Sequence, residues 1–369
     1  MKTGYFIKLG VLFAILLSAC KNNSSEFPVI DLENSIDTKN INKMDWKKIS
    51  ENIDSIQLET SESCLLVTPR IIDVTKSIIV VEDRSVLYLF DTKNGRLVQK
   101  IDRKGGGPEE YHSIMDVIVD QNKSLLYIND TDKGKIFIYS FKAKFVKSLD
   151  INFISSFNLT ENNDFVVCFN PVKQKKKLVG FYDKTWKNTI NLFDSKDSKD
   201  ILNKGFIFFN TIKTIGDKTY FKDEFSDTLY AIKNHIANPI LVVSKGKYKI
   251  PKSIAVDFSK RQERINYIFG EYGQIVNNYY FLAYCYQNQI ISDVWDIKTS
   301  KLLYRNIAMN KLEYGFPLKF KSEEIYVWPN YVDEEFIYFF LKHKNSDVQN
   351  EELNPIIARI RKQKISYNN

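Results

Sequence analysis

Hydrophobic and polar residues alternate along most of the chain in short runs, which are best defined between residues 70 and 151. Four such runs precede the glycine-rich segment 103–111 and four similar runs follow it, with turn residues such as Asn94-Gly95 between them. Alternation with a period of two predicts strands that bury one face, and Asn-Gly favours a tight hairpin turn. The pattern therefore predicts two consecutive four-stranded antiparallel sheets.

The two predicted sheets repeat each other, since Val80 matches Tyr127 at an offset of 47 residues and Leu97 matches Phe145 at 48. A repeat of this length favours stacked sheets or propeller blades over a single sandwich. Looser versions of the pattern continue to the C-terminus and predict four more sheets. Their expected strands are Phe165–Phe169, Leu178–Tyr182, Thr189–Phe193, Thr219–Phe221, Thr228–Ile232, Pro239–Val243, Tyr279–Tyr284, Ile290–Asp296, Leu302–Ile307, Ile325–Val327, Phe336–Leu341 and Ile356–Ile360. The sequence thus predicts an all-β fold, a six-bladed β-propeller of mostly four-stranded blades.

Two segments depart from this regular pattern. Residues 251–270 lack strand alternation, and the apolar residues from Ile254 to Ile268 recur at helical spacing, which predicts one short helical insertion. Ile53–Glu59 alternates like a strand but has no sheet of its own. Because a propeller must close into a ring, we expect this strand to complete the last blade beside the C-terminal strands.

The N-terminus has the features of a targeting signal. Lys2 and Lys8 precede the apolar run Leu9–Leu17, which is too short to span a bilayer. Residues 1–19 are therefore predicted to be a signal peptide. Residues 20–50 are polar and show no period, so they are predicted to be a flexible linker ahead of a propeller domain at 51–369.

Composition supports this fold and narrows the chemistry. The chain is 44% hydrophobic and 14% aromatic, which favours strands around a true core. Its net charge of +8 is spread thinly, so no nucleic-acid partner is expected. A monomer is also expected. Cys64, Cys168 and Cys285 are expected to be small core residues. The absence of CxxC and HExxH motifs gives no support to a metal site or a cofactor.

The glycine-rich segment 103–111 is predicted to be the connection between the first two blades. Gly105, Gly106 and Gly107 are expected to adopt positive φ, and Pro108 to fix the dihedral that follows. No Gly-Lys-Ser/Thr follows them, so a phosphate-binding loop is not indicated. We expect the segment to act as a structural hinge.

Three residues of this hinge form the candidate ligand-binding set. Arg103, Glu109 and Tyr111 combine a cation, an anion and an aromatic plane within nine residues, where connections between blades reach a propeller's rim. The alternative is that Arg103 and Glu109 pair across the loop while Tyr111 packs beneath it. The sequence alone leaves both interpretations open.

These features together resemble the six-bladed β-propeller proteins of bacterial envelope lipoproteins, a family similar in shape to NHL-repeat propellers. The resemblance is carried by the hinge, by Gly246–Pro251, by Asn354-Pro355-Ile356-Ile357, and by Leu17-Ser18-Ala19-Cys20, which resembles a lipobox. It implies that Cys20 carries the lipid. It also implies an outer-membrane lipoprotein whose domain faces the periplasm or the cell surface.

Two functions follow as hypotheses from the resemblance. The first is a non-enzymatic binding or scaffold propeller whose ligand is a protein, a peptide or a glycan. The second is a metal-dependent enzyme of the lactonase or lyase kind, which would require three or four Glu, Asp, Asn or His side chains converging in the channel. The sequence contains no Gly-x-Ser-x-Gly motif and indicates no catalytic residue.

Overall fold

The structure is a computed structural model that describes residues 27–51, 53–151, 154–169, 178–193, 211–223, 225–255, 257–310, 313–341 and 353–367. It confirms the predicted six-bladed β-propeller, with six blades of antiparallel strands that follow one another along the chain. The predicted signal peptide and Cys20 lie outside the described residues. Within the described part, no helix has the length and apolar character needed to cross a membrane.

Blades 1 to 3 each contain four antiparallel strands, counted from the channel outward, and five short elements precede them. Those elements are β1 (Val29–Asp31), α1 (Leu32–Ser35), β2 (Ile41–Asn42), α2 (Trp46–Ser50) and β3 (Asp54–Gln57). The blade strands are β4 (Arg70–Val74), β5 (Ile78–Asp83), β6 (Val86–Asp91) and β7 (Leu97–Ile101) in blade 1, β8 (Asp116–Asp120), β9 (Leu125–Asp130), β10 (Lys135–Ser140) and β11 (Phe145–Asp150) in blade 2, and β12 (Ile154–Leu159), β13 (Phe165–Phe169), β14 (Val179–Tyr182) and β15 (Asn188–Leu192) in blade 3.

Blades 4 to 6 follow the same plan with two additions, a helical insertion before blade 5 and a separate hairpin before blade 6. Their elements are β16 (Thr211–Ile215), β17 (Lys218–Lys222), β18 (Thr228–Lys233) and β19 (Ile236–Ser244) in blade 4, 3-10 helices at Gly246–Tyr248 and Phe258–Asn266 around α3 (Lys252–Ala255) in the insertion, β20 (Phe269–Val276), β21 (Tyr279–Tyr286), β22 (Gln289–Asp296) and β23 (Lys301–Ala308) in blade 5, the hairpin β24 (Phe316–Phe320) and β25 (Glu323–Val327), β26 (Tyr331–Val332), β27 (Phe336–Leu341) and β28 (Ile356–Arg361) in blade 6, and a 3-10 helix at Lys362–Lys364.

The sequence prediction misses mainly the innermost strands. It contains no counterpart of β12, β16, β20 or β26, and it places Ile325–Val327 in blade 6 although these residues belong to the separate hairpin. The register of β12 and β20 shifts at a β-bulge, which interrupts the alternation that sequence reasoning detects. The last residues of the predicted insertion, from Phe269 onward, belong to β20 for the same reason.

The hydrophobic core is divided into six clusters, and each lies between two neighbouring blades. On β5, Val80 packs toward blade 2 and Val81 toward blade 6, so the two faces of one strand serve two interfaces. Cys64 and Cys168 are buried and Cys285 is half-buried, and none of the three forms a disulfide. Each blade is therefore stable only between its two neighbours.

The 47-residue repeat has a structural cause in two equivalent aspartates. Asp83 ends β5 and accepts a hydrogen bond from Thr68 N at 2.6 Å, while Asp130 ends β9 and accepts one from His112 N at 2.6 Å. In both blades the buried carboxylate holds the connection that enters the same blade. Blades 1 and 2 are thus joined to the chain segments before them in the same way.

The prediction that residues 20–50 form a flexible linker is wrong from Val29 onward. β1 pairs in parallel with β19, and β2 pairs antiparallel with β23, so this segment covers the outer edges of blades 4 and 5. Leu32 and Ile49 are fully buried. The segment lacks visible periodicity because each short element binds a different blade, and a strand of two or three residues is too short to show alternation.

The prediction that Ile53–Glu59 completes the last blade is confirmed. β3 pairs antiparallel with β28 and forms the outer strand of blade 6. Asn354, which is fully buried just before β28, locks this closure: its Oδ1 accepts from Leu66 N at 2.7 Å, and its Nδ2 donates to the carbonyls of Glu59 and Cys64 at 2.5 and 2.8 Å. One side chain therefore joins the end of the propeller to its beginning.

Asn354→Ala should lower the free energy of unfolding by about 2–4 kcal/mol, because it leaves the buried Leu66 N–H without its acceptor and removes one donor each from the Glu59 and Cys64 carbonyls. Urea unfolding followed by tryptophan fluorescence measures this change. Asn266→Ala is the matched control, since Asn266 is exposed and its loss should change the value by less than about 0.5 kcal/mol. Equal midpoints for both variants would show that closure does not depend on Asn354.

Candidate functional site

The inner strands of the blades surround a central channel. Five of these strands carry a residue at an equivalent level along the channel axis. β4 contacts β8 and β26, and β12 contacts β8 and β16, so these strands lie side by side around the axis. In five blades a residue of the inner strand faces the residue seven positions later across its hairpin, which places all five at equal distance from the hairpin tip. These residues are Asp73, Val119, Lys213, Gln274 and Tyr331.

Three of these side chains meet across the channel. The Tyr331 hydroxyl of blade 6 donates to Asp73 Oδ1 of blade 1 at 2.6 Å. The Lys213 ammonium of blade 4 lies 4.7 Å from the centroid of the Tyr331 ring. Blades 4 and 6 are not neighbours in the ring, so the contact between Lys213 and Tyr331 must span the channel. We call Asp73, Lys213 and Tyr331 the channel cluster.

The channel cluster is reached by solvent and yet surrounded by protein. All three side chains are half-buried, as expected of residues that line a narrow channel. Burial raises the pKa of Asp73 above its usual value, although the hydrogen bond from Tyr331 opposes this shift. Burial lowers the pKa of Lys213 to about 8. The surroundings therefore disfavour both charges, which is typical of functional sites.

Charged residues line the channel between the channel cluster and the face that carries the connections between blades. Arg70 at the start of β4 pairs with Glu82 at 2.7 Å. Asp116 at the start of β8 accepts from Ser156 Oγ and Phe157 N of blade 3, both at 3.0 Å. These side chains are held by neighbouring blades and form a polar layer above the channel cluster.

The chemistry that this arrangement offers is charge recognition. Lys213 supplies up to three N–H donors and Asp73 supplies carboxylate oxygens. In the described ranges of the chain, no group of three His, Cys, Asp or Glu side chains is placed so that it could hold a metal ion. The described residues therefore give no observation in favour of a metal-dependent reaction.

The structure does not bring the three side chains of the predicted ligand-binding set together, although Arg103 N donates to the Tyr111 hydroxyl at 3.3 Å. Tyr111 is fully buried, and its hydroxyl donates to the Ile101 carbonyl at 3.1 Å. Arg103 and Glu109 are exposed, and no ion pair joins these two described residues. Tyr111 thus packs beneath the loop, as the alternative interpretation expects, and its ring is not available to a ligand.

The prediction that Gly105, Gly106 and Gly107 adopt positive φ is wrong, since none of them lies in the left-handed region. The loop, with Pro108 exposed, is instead organised by Lys133, whose ammonium donates to the carbonyls of Gly105, Gly107 and Glu110 at 3.1, 3.0 and 2.6 Å. Glycine at 105 provides space: a Cβ there would lie 2.1 Å from Glu110 Oε2, which accepts from Gly107 N.

The channel cluster could not be identified from the sequence, although part of its signal is present. Asp73 interrupts the apolar strand Arg70–Val74, and an ionisable residue inside a strand is such a signal. Lys213 lies in β16 and Tyr331 in the two-residue strand β26, neither of which the sequence predicts. The contact between Asp73 and Tyr331 depends on ring closure, which brings together residues 258 positions apart.

Lys213→Met should make the protein more stable than wild type below pH 8, and the difference should shrink as the pH rises from 8 to 10.5. The folded-state pKa of about 8 lies below the ordinary value of 10.5. Between these values the unfolded chain binds more protons at Lys213 than the folded chain does, so the contribution of Lys213 to stability rises with pH. Urea unfolding of both proteins from about pH 7 to about pH 10 measures the difference between their free energies of unfolding. A difference that is constant with pH would show that Lys213 titrates normally.

Comparisons with known proteins agree with this architecture. The chain is 18% identical to BF0058 of Bacteroides fragilis NCTC 9343, with a TM-score of 0.68 over 90% of this chain and 99% of that chain. It is 11% identical to a member of the DUF4221 family from Bacteroides vulgatus ATCC 8482, with a TM-score of 0.54 over 84% and 96% of the two chains. The search of curated proteins finds no match. The sequence profile of the family described as Domain of unknown function (DUF4934) matches residues 27–364, and the chain belongs to this family of six-bladed β-propellers.

Proposed function

We propose that this protein is a lipid-anchored, non-enzymatic binding protein of the bacterial cell envelope that takes its ligand into the propeller channel. The observation that carries the proposal is the channel cluster, in which Lys213 and Asp73 present opposite charges within a solvent-reached interior. Side chains from three blades converge there, which no single sheet could achieve. Convergent polar groups in a concave, partly desolvated place are the usual form of a binding site.

The proposed localisation to the cell envelope rests on the N-terminal sequence. Lys2, Lys8 and the run Leu9–Leu17 have the order of a signal peptide, and Cys20 follows Leu17-Ser18-Ala19. Phe27, where the described structure begins, follows Cys20 by seven positions, so an extended tether would reach at most about 25 Å. BF0058, one of the structural neighbours, is described as a candidate exported protein. The propeller would therefore remain close to the membrane that holds its lipid.

Binding rather than catalysis is favoured by the chemistry of the channel cluster. A lactonase or lyase of the metal-dependent kind requires a set of oxygen or nitrogen ligands around one cation. Asp73 is the only carboxylate of the channel cluster, and Lys213 beside it would repel a cation. The described residues offer no observation that favours the enzymatic hypothesis over binding.

Cys20→Ala should release the protein from membranes, because the acyl chains proposed for Cys20 supply the anchoring free energy. Fractionation of cells that produce either protein, followed by a high-salt wash of the membranes, measures the outcome. Cys64→Ala is the matched control and should remain in the membrane fraction. A Cys20→Ala variant that still sediments with washed membranes would contradict lipid anchoring.

Protein purified from the envelope of its own host should carry a small molecule that native mass spectrometry detects as added mass. Lys213→Met should lose this mass, because the ammonium that faces the ligand is removed. Lys218→Met, which alters an exposed lysine on the next strand, should retain it. A mass retained in all three proteins would place the ligand elsewhere, and no bound mass in any of them would contradict binding in the channel.

A further inference from the structure

The channel cluster keeps an ammonium and a carboxylate close together without pairing them. Asp73 Oδ1 accepts from the Tyr331 hydroxyl at 2.6 Å and from Val74 N at 2.8 Å, while no bond within the described residues engages Oδ2. The Lys213 ammonium likewise has no hydrogen bond or ion pair there, and its contact is with the face of the Tyr331 ring. One cation and one carboxylate oxygen are thus left to face the interior of the channel.

Two unpaired opposite charges inside a protein are unfavourable unless each receives an oppositely charged or hydrogen-bonding partner. Tyr331 prevents a direct ion pair between Asp73 and Lys213, because its hydroxyl binds Asp73 and its ring face binds Lys213. The missing partner must then offer a negative group to Lys213 and a positive, hydrogen-bonding group to Asp73. A molecule that carries a carboxylate and an ammonium on one short skeleton offers both groups at once.

We propose, building on the channel-binding function proposed above, that the channel binds a small zwitterion of the amino-acid class, with its carboxylate on Lys213 and its ammonium on Asp73. The neutral sum of the two site charges matches the neutral sum of the ligand charges. Recognition therefore requires both ligand groups at once. A simple anion would leave Asp73 without a partner, and a simple cation would be repelled by the Lys213 ammonium.

Two neighbouring residues fit this ligand class. Gln274 lies at the same height as the channel cluster and is 7% exposed; its Nε2 donates to the Tyr272 hydroxyl and the Pro329 carbonyl, while its buried Oε1 has no partner in the described structure. Tyr272 lies two positions earlier on β20 and is 45% exposed. The unpartnered acceptor and the exposed ring thus lie on β20, the inner strand of the blade between blades 4 and 6, and we expect the ligand ammonium and its side chain to reach them.

The path into the site is set by the turns of blades 4 and 6. Glu334 in the turn after β26 lies against Gly216 in the turn after β16, and a Cβ at Gly216 would come within 2.3 Å of the Glu334 carboxylate. These two turns meet and narrow the channel at the face that carries the hairpins between the first and second strands of the blades. A ligand would enter from the opposite face, past Arg70 and Asp116.

The charge state of Lys213 gives the proposal a pH dependence. The charged groups that act on Lys213 are Asp73 and Asp333, which favour its protonated form, and Lys362, which disfavours it. Burial is the largest influence and lowers the pKa of Lys213 to about 8. Zwitterion binding should therefore weaken as the pH rises through about 8, provided that the ligand's own amino group is still protonated there.

The test uses L-amino acids as probes, added one at a time to the chain from Lys21 onward, which retains every described residue. Thermal shift identifies the amino acid that binds, and calorimetry compares it with its des-amino carboxylic acid and its decarboxylated amine. We expect each analogue to bind at least about tenfold more weakly, because each loses one charge-assisted contact. Lys213→Met and Asp73→Asn should weaken amino-acid binding by a similar factor, whereas Lys218→Met should not.

Several outcomes separate this proposal from its alternatives. A des-amino acid that binds as tightly as the amino acid would overturn it in favour of a simple anion site. If no amino acid shifts the melting temperature while purified protein still carries a Lys213-dependent mass, the zwitterion proposal fails and the binding function stands. Lys213→Arg keeps the positive charge and should retain part of the binding. Loss of binding in Lys218→Met as well would attribute the effect to folding and overturn the assignment.

Discussion

Ring closure is the constraint on which the rest of this structure depends. Each blade buries apolar side chains on both faces, and the six hydrophobic clusters lie between blades rather than within them. A blade at an open end would leave one of these faces in water. The pairing of β3 with β28 removes that open end, and Asn354 fixes it through buried hydrogen bonds to the first connection. A polar side chain is well suited to this place because its bonds require one register, whereas apolar packing tolerates several.

The segment before β3 extends the closure around the outside of the propeller. β1 and β2 add to the outer edges of blades 4 and 5, which would otherwise expose unpaired backbone groups. A buried ion pair between Arg305 and Asp293, with N and O atoms 2.6 Å apart, lies beneath this segment, and Arg305 also donates to the Ser35 and Thr38 carbonyls. The guanidinium thus uses its remaining donors to hold the incoming chain. This supply of hydrogen bonds offsets the cost of burying the two charges.

The channel cluster is a consequence of the same geometry. Closing six sheets into a ring forces their inner strands to share a narrow axis, so polar side chains from non-adjacent blades come within contact distance. Tyr331 decides how they are arranged, since its hydroxyl engages Asp73 and its ring engages Lys213. The glycine-rich loop follows a different principle: the Lys133 ammonium is enclosed by three carbonyls of the chain itself, so the loop has already satisfied the charge that it surrounds.

The sequence by itself determined the strands that alternate clearly, the number of blades and the use of Ile53–Glu59 to close the ring, because period-two patterning and repeat length are local properties. It did not reveal the inner strands β12, β16, β20 and β26, of which β12 and β20 are bulged and β26 has only two residues, nor the role of residues 29–50, whose short elements acquire structure only against different blades. It also placed the candidate site at Arg103, Glu109 and Tyr111, because a sequence without a structure can group only residues that lie close together along the chain. Asp73, Lys213 and Tyr331 come from blades 1, 4 and 6, so only the closed tertiary structure could bring them together: the contacts that define the site are made across the axis and have no counterpart in local sequence.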